Sequence, residues 1–294
     1  MVINTNDLNS LIQSALPICM EVLREKHNIT NVSLVPSVGS PLYIEESNGI
    51  PCPVFLNFDP VIGFTTILNG QWDFHNIENV VKILEAKEKV NLSLIDVGAN
   101  IGLFTRQLII ATKHHTHIEH IFCFEPHPTN FALLRQNLSA WSNLQLNNFA
   151  LADTNGHSDF FIDARNSGNY SLSHEAMEGG KYHKISIPVN KAGEEITEIM
   201  KITESPFIYK SDTQGFDQKI ACDFPLEFWN KVHCGIFELW RLPNNEYDED
   251  TFCRVLESFE FLRFGNSFDR NVTPPEIISY LKGSDGTFDD LYVW

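Results

Sequence analysis

Ser93-Leu94-Ile95-Asp96-Val97-Gly98-Ala99-Asn100-Ile101-Gly102-Leu103-Phe104 is the stretch on which the fold turns. Its first half is a short apolar run, the pattern of a buried strand. Its second half is a glycine-rich turn, and a helix is predicted from about Gly102 to Lys113. Gly98 and Gly102 permit sharp turns and close approach of the backbone to a ligand. A helix starting near Gly102 aims its free N–H groups at the carboxyl edge of a sheet, where α/β proteins bind ligands. Asp96, at the strand end, is placed to hold a cationic ligand indirectly or to fix the loop. The dinucleotide pattern GxGxxG fails, because the spacing is Gly-x-x-x-Gly. No Walker loop with GK[ST] and no G-x-S-x-G elbow is present.

Outward from this turn the rhythm repeats. Ile121-Phe122-Cys123-Phe124-Glu125 is a second predicted strand, ending in an acid 29 residues after Asp96 and followed by Pro126. Pro128 suits the first turn of a helix, and Phe131, Leu134 and Leu138 lie on one face of it. Strand, helix, strand, helix in units of about 30 residues predicts a mostly parallel sheet covered on both faces. Glu125 at its strand end can accept hydrogen bonds from both hydroxyls of a ribose. A glycine loop and a ribose acid without a pyrophosphate site fit a nucleoside that carries no phosphate, of which S-adenosyl-L-methionine is the common one.

The flanks are less regular. Asn6 and Asp7 can cap a helix over 6–27, with Leu8, Leu11, Ile12 and Ala15 on one face and Pro17 bending it. Residues 32–72 read as strands and loops, and Ile77, Val80, Val81 and Leu84 predict a helix over about 76–88. Residues 1–75 are therefore expected to form an N-terminal α+β extension or cap, and 76–294 the main domain. Residues 151–189 interrupt the rhythm with an alternating segment. Strands are predicted at Phe207–Lys210 and Cys234–Trp240, and a helix over about 248–259. The tail through Trp294 is expected to supply the last strands.

The 294 residues carry 21 Lys plus Arg against 38 Asp plus Glu, a formal charge of −17. That balance argues against a nucleic-acid or anionic-membrane partner, which a basic surface would recruit. No run approaches the ~20 apolar residues of a membrane span, so no transmembrane segment is expected. The first twenty residues lack the basic region and apolar run of a secretory signal. Six scattered cysteines with no CxxC pair argue against disulfides or a zinc knuckle. A cytoplasmic location is the expectation.

Taken in order, DVGANIGLFT (96–105), FEPHPTNFALLRQNL (124–138), NNFALADTNG (147–156), YKSDTQGFD (209–217) and IFELW (236–240) resemble the FkbM-like S-adenosylmethionine-dependent methyltransferases. The resemblance runs from about residue 92 to 262. Lys210-x-Asp212-x-Gln214-Gly215-x-Asp217 is its most specific part. The family usually carries Lys-x-Asp-x-(Glu or Gln)-Gly-x-Glu, so Asp217 is a conservative departure, and Ser211 stands where an aliphatic residue is usual. The resemblance implies the class I methyltransferase fold, a Rossmann-like seven-stranded, mostly parallel sheet with a reversed hairpin at its end. It also implies methyl transfer from a sulfonium to a hydroxyl oxygen. Family members often act on sugars of surface glycans or on secondary metabolites, so a small-molecule or glycan acceptor is expected.

On that resemblance, Gly98, Asn100 and Gly102 would form the loop against the methionine part of the cofactor, and Asp96 and Phe104 would also be cofactor-binding. Glu125 and Pro126 would meet the ribose, and Ala150, Leu151 and Asp153 would lie near adenine. Lys210, Asp212 and Glu238 would close the acceptor side. Methyl transfer needs aligned reactants and removal of the hydroxyl proton. Asp212 is the candidate base, acting late because a carboxylate is a weak base for an alcohol. Lys210 is the alternative base, or else an ion-pair partner of Asp212 or Glu238. Trp72 and Trp240 are candidates to stack on a sugar face or to sit in the core. His114, His115, His117 and His120 fall in a loop on the far side, and no metal is expected. Asp96, Glu125, Asp153, Asp212 and Glu238 are expected to face the cleft together, suiting a sulfonium cofactor and a neutral acceptor. A non-catalytic methyltransferase-fold module inside a glycan-biosynthesis assembly is the alternative, and the extension leaves room for a homo-oligomer contact.

Overall fold

The computed structural model describes residues 61–294 apart from 70, 164–165, 167, 178–181 and 244–245, together with three short strands upstream. These are β1 (Val32–Ser33), β2 (Leu42–Ile44) and β3 (Val54–Leu56), paired antiparallel in that order. The helix expected over 6–27 lies outside the described residues. Helices α1 (Ile62–Asn69) and α2 (Phe74–Glu85) lead into β4 (Leu92–Val97), α3 (Leu103–Thr112), β5 (Ile118–Phe124), α4 (Pro128–Asn137) and β6 (Leu144–Asn147). Four strands follow: β7 (Ala150–Ala152), β8 (Gly156–Asp163), β9 (Tyr170–Ser171) and β10 (Tyr182–Lys191). Next come α5 (Ala192–Ile202), β11 (Phe207–Ser211), α6 (Asp217–Asp223), α7 (Leu226–Trp229) and β12 (Val232–Trp240). The chain closes with α8 (Glu249–Leu256), β13 (Leu262–Phe264), α9 (Pro274–Leu281) and β14 (Phe288–Val293).

Seven strands form the central sheet in the order β13-β14-β12-β11-β4-β5-β6. β14 runs antiparallel to β12 and β13, and the other pairings are parallel. This is the class I methyltransferase arrangement expected from the sequence, reversed hairpin included. The strand order changes direction between β4 and β11, and ligands of such sheets bind outside the carboxyl ends at that switch point.

Strand alternation sorts the core onto two faces. Leu94, Ile208 and Ile236 pack with Val80, Leu108 and Leu134 from α2, α3 and α4. Ile95, Tyr209 and Phe237 pack on the other side with Ile220, Trp229 and Phe252 from α6, α7 and α8. Asp96, Lys210 and Glu238 stand two residues after Leu94, Ile208 and Ile236. The same alternation therefore brings all three to the α3 face at the carboxyl ends of their strands.

The segment that broke the rhythm is a second sheet, ordered β7-β10-β8-β9. Phe160, Ile162, Ile187 and Val189 form its small core. Upstream, Asn137 fixes β3 against the main domain. Its fully buried side chain accepts from Phe55 N (2.7 Å) and donates to Phe55 O and Ile101 O (2.8 Å each). Among the described residues no helix is long and apolar enough to cross a membrane.

Candidate active site

The glycine turn after β4 is built by two left-handed glycines, Gly98 (φ 77°) and Gly102 (φ 81°). A Cβ on Gly98 would fall 1.9 Å from the carbonyl oxygen of Asp212. The loops after β4 and β11 therefore touch backbone to backbone, a contact only glycine allows. Gly102 has a different reason to be glycine. A Cβ there would lie 2.7 Å from Leu134 Cδ1, so Gly102 seats α3 on α4.

Between the two glycines, the Asn100 N–H donates to Glu125 Oε2 (2.9 Å), and the His127 N–H donates to Oε1 (2.8 Å). The Glu125 carboxyl is thus aimed by backbone on both sides and is 4% exposed. Burial pushes it up to about 7, against the pull of the two N–H donors. Gly98, Asn100, Glu125, Pro126, Ala150 and Leu151, six residues expected to meet a cofactor, line one crevice. Its remaining walls are mainly flat or apolar, with Phe124, Phe160, Tyr170, Leu172 and Phe216 among them. The second sheet supplies Phe160 and Tyr170, a role for β8 and β9 that the sequence did not suggest. Asp153 is exposed in the turn after β7 and is not part of the crevice wall.

Next to the crevice the β11 end carries the charged cluster. Lys210 Nζ lies 3.1 Å from Asp96 Oδ1 and 3.6 Å from Asp212 Oδ2, and it donates to Gly98 O (2.8 Å). Asp96 is fully buried and takes a second hydrogen bond from Thr105 Oγ1 (2.5 Å). It is sealed under the turn and reaches neither cavity, so its expected place in the cleft is corrected to that of a buried counter-ion. Burial pulls the Lys210 ammonium down, but Asp96 and Asp212 outweigh this and hold it above its ordinary value. The expected alternative, a Lys210–Glu238 pair, does not form. Lys210 is in register with Asp96 on one side and with Ile236 on the other, so Glu238 lies two residues further along β12.

Glu238 is held by other donors. Its Oε2 accepts from Gln214 Nε2 (2.7 Å) and Trp240 Nε1 (2.5 Å). The same Gln214 nitrogen donates to Asp212 Oδ1 (2.7 Å). Gln214, left-handed at φ 55°, thereby bridges the two carboxyls of the site. The loop is pinned from behind by Asp217, which accepts from Ser211 Oγ and from Thr213 N (3.2 Å). Burial, with Asp212, Asp290 and Asp217 nearby, pushes the Glu238 carboxyl well above the usual carboxylate range.

These groups face a second cavity of about 220 Å³. Phe104, expected near the cofactor, lies here under Lys210, whose Nζ is 5.6 Å from the ring centre. Trp240 is 7% exposed and stacks on Phe288 at 4.8 Å. Trp72 and Asp73 also line this cavity. Asp212 lines both cavities, and its side chain is 39% exposed. Asp73 had no role in the sequence reading, because an aspartate before an apolar helical run signals only a cap. Burial pushes Asp73 up to about 6 and Asp290, behind it, up to about 7. His114, His115 and His117 line a separate recess with Trp141, and His115 Nε2 lies 3.1 Å from Glu85. Among the described residues, no group of three or more His, Cys, Asp or Glu side chains is arranged to hold a metal ion.

No family model matches the chain, and a search of curated proteins finds no match. Among solved structures it is similar to methyltransferase FkbM from Methylobacillus flagellatus KT, at 14% identity and a TM-score of 0.41 over 71% of this chain. The match spans 44% of that longer protein. It is also similar to M. jannaschii TYW2 in complex with AdoMet (14% identity, 88% of this chain and 87% of that one, TM-score 0.35). A third likeness is to the N-methyltransferase NodS from Bradyrhizobium japonicum WM9 (8% identity, 75% and 93%, TM-score 0.35).

Proposed function

We propose that the chain is an S-adenosylmethionine-dependent O-methyltransferase acting on a hydroxyl of a sugar, glycan or similar neutral metabolite. One observation carries this reading: a narrow crevice walled by Glu125 and aromatic side chains and an acid-lined aromatic cavity share one carboxylate, Asp212. The donor set of the crevice fits the cofactor. Glu125 presents an aligned carboxyl for two ribose hydroxyls, and the flat apolar walls suit adenine. S-adenosylmethionine would supply there an electrophilic methyl group on a cationic sulfur. The clear space between the walls is about 50 Å³, below the roughly 300–1,000 Å³ of typical small-molecule sites. Binding therefore requires the crevice to widen.

In the second cavity, Asp212 would take the proton of the acceptor hydroxyl whose oxygen receives the methyl, the cofactor's carbon–sulfur bond breaking to leave a neutral thioether. Lys210 is not the base. Its ammonium is held charged among Asp96, Asp212 and Gly98 O, so it positions Asp212 and the turn. Gln214 and Trp240 keep Glu238 turned toward the same space. Calorimetry with S-adenosylhomocysteine tests the cofactor assignment, and labelled methyl transfer to a panel of neutral sugars tests the reaction. Absence of binding at millimolar ligand refutes the reading and favours a non-catalytic module of the same fold.

A further inference from the structure

The wall of the cavity beside Asp212 is rich in carboxyls, and its neutral side-chain donors include the Trp72 indole and the amides of Asn100 and Asn166. Oδ1 of Asn169 meets no donor among the described residues, although Asn169 is only 4% exposed. Its Nδ2 is turned away to Asp163 (3.4 Å). Asp73 takes one hydrogen bond, at Oδ1 from Asn76 Nδ2 (2.8 Å). Glu238 receives both of its donors on Oε2. The one cation in the wall among the described residues is Lys210, and its hydrogens point at Asp96, Gly98 O and Asp212. Buried acceptors without donors are costly, so the molecule that fits here brings donors of its own.

The Trp72–Asp73 corner is held with more care than a helix start needs. Asp73 sits in the left-handed region at φ 53°, and its side chain caps no N–H of α2. Such a conformation in a non-glycine residue is strained and persists only where its surroundings impose it. Here they do. Gln107 on α3 clips the Trp72 backbone from both sides, accepting from its N–H (3.0 Å) and donating to its carbonyl (2.6 Å). Asn76 joins Asp73 to Asp290 on β14 (3.0 Å) and accepts from the Tyr292 hydroxyl. Two separate elements thus fix one carboxyl at the cavity wall, beside the aromatic faces of Trp72, Trp240 and Phe288.

We propose that Asp73 and Asn169 form a subsite for a second donor group of the acceptor, next to the hydroxyl that Asp212 serves. The acceptor is then a ring bearing at least two hydroxyls, or a hydroxyl and an ammonium, with an apolar face against the aromatic wall. Phosphorylated and carboxylated rings are excluded, because they bring acceptors and negative charge to a wall of carboxyls. The inference rests on the reading of this cavity as the acceptor's.

The test is saturation-transfer NMR and labelled methyl transfer with S-adenosylmethionine. The probes are methyl glucopyranoside, methyl galactopyranoside, glucosamine, glucose 6-phosphate and glucuronate. Wild type is compared with Asp73→Ala, Asp73→Asn and Asn169→Ala. Asparagine tolerates the left-handed region, so Asp73→Asn separates loss of charge from loss of fold, and thermal melting checks each variant. The expected result is binding of the neutral or amino sugars and about ten-fold or weaker use of the anionic ones. Asp73→Ala and Asn169→Ala should raise the acceptor KM about ten-fold or more, with S-adenosylhomocysteine affinity unchanged. Asp73→Asn should act most on glucosamine if an ammonium is the second donor, and about equally on all if it is a hydroxyl. Equal or better use of the anionic sugars overturns the proposal. So does an unchanged KM in the Asp73→Ala and Asn169→Ala variants, or no binding of any neutral or amino sugar by a wild type that binds S-adenosylhomocysteine. Failure of the wild type to bind S-adenosylhomocysteine refutes the methyltransferase reading itself.

Discussion

Replacing Lys210 by methionine is expected to destabilise the protein by about 3–5 kcal/mol, the usual cost of breaking one side of a buried ion pair. The magnitude follows from what the change leaves behind. Asp96 is fully buried, its only remaining donor would be Thr105, and the hydrogen bond to Gly98 O would vanish with the ammonium. Asp96→Asn should cost less, about 2–3 kcal/mol, because Lys210 keeps Gly98 O and Asp212 and asparagine still accepts from Thr105. The double variant should recover much of the loss, since neither charge is then stranded. A coupling energy of at least about 2 kcal/mol is expected from the cycle. Urea unfolding with linear extrapolation measures all four proteins, and equal m-values are needed for the comparison to hold. A coupling below about 0.5 kcal/mol would show that Asp96 and Lys210 are independent. Lys210 would then be free to serve as the base.

The acids whose ordinary range is exceeded set the pH dependence. Asp73 and Asp217 near 6, and Glu125 and Asp290 near 7, bind protons more tightly folded than unfolded. Their contribution is complete below about 4 and is lost as pH rises through 6 to 7, so the unfolding free energy should be greater at pH 5 than at pH 8; the opposite slope in urea melts would sink the assignment. Ribose hydroxyls donating to Glu125 favour its ionised form, so S-adenosylhomocysteine binding near pH 7 should release a fraction of a proton. Calorimetry in two buffers of different ionisation enthalpy detects this, and Glu125→Gln should abolish it while weakening binding about ten-fold or more. Gly98→Ala places a methyl 1.9 Å from Asp212 O at a positive φ, and a fall in thermal stability of less than about 1 kcal/mol would contradict the close contact of the two loops. Gln214→Met removes the donor shared by Asp212 and Glu238. It should lower kcat about ten- to hundred-fold with cofactor affinity unchanged, whereas equal loss of both would mark a folding defect.

The central sheet was legible because its strands are short, strongly apolar and separated by helices with caps or prolines. β4, β5, β11 and β12 stand within three residues of their expected bounds. The second sheet was not. β10 is exposed at alternate positions and has a proline at 188. Its partner strands β7 and β8 lie some 20–40 residues upstream, so no local pattern announces them. The site divides the same way. Glu125, Asn100 and Gly98 follow from one turn and one strand end. Lys210 was legible as a residue of the site, but its partner depends on register across the sheet. Which of Asp96 and Glu238 stands directly beside it is fixed by the β4–β11 pairing, a fact about residues 114 positions apart. Asp73 and Asp290 are joined through Asn76, and the Asn76–Asp290 bond spans 214 positions that no motif records.

The charge of −17 acquires a local meaning from this arrangement. Five acids were expected in the cleft. Glu125, Asp212 and Glu238 are there, Asp96 is buried behind them and Asp153 lies outside, while Asp73 takes a place in the wall. Burial raises Asp73, Asp290 and Glu238, and the charges of neighbouring carboxyls add to it, so these groups cannot all be ionised at low cost. A ligand that donates hydrogen bonds or carries positive charge relieves that repulsion, whereas an anionic one adds to it. The acidity read from the whole sequence therefore has a counterpart inside the cavity, on the scale of a single functional group. On the proposed reading of the cavity as the acceptor's, that acidity would select against phosphate and carboxylate and in favour of hydroxyl or ammonium.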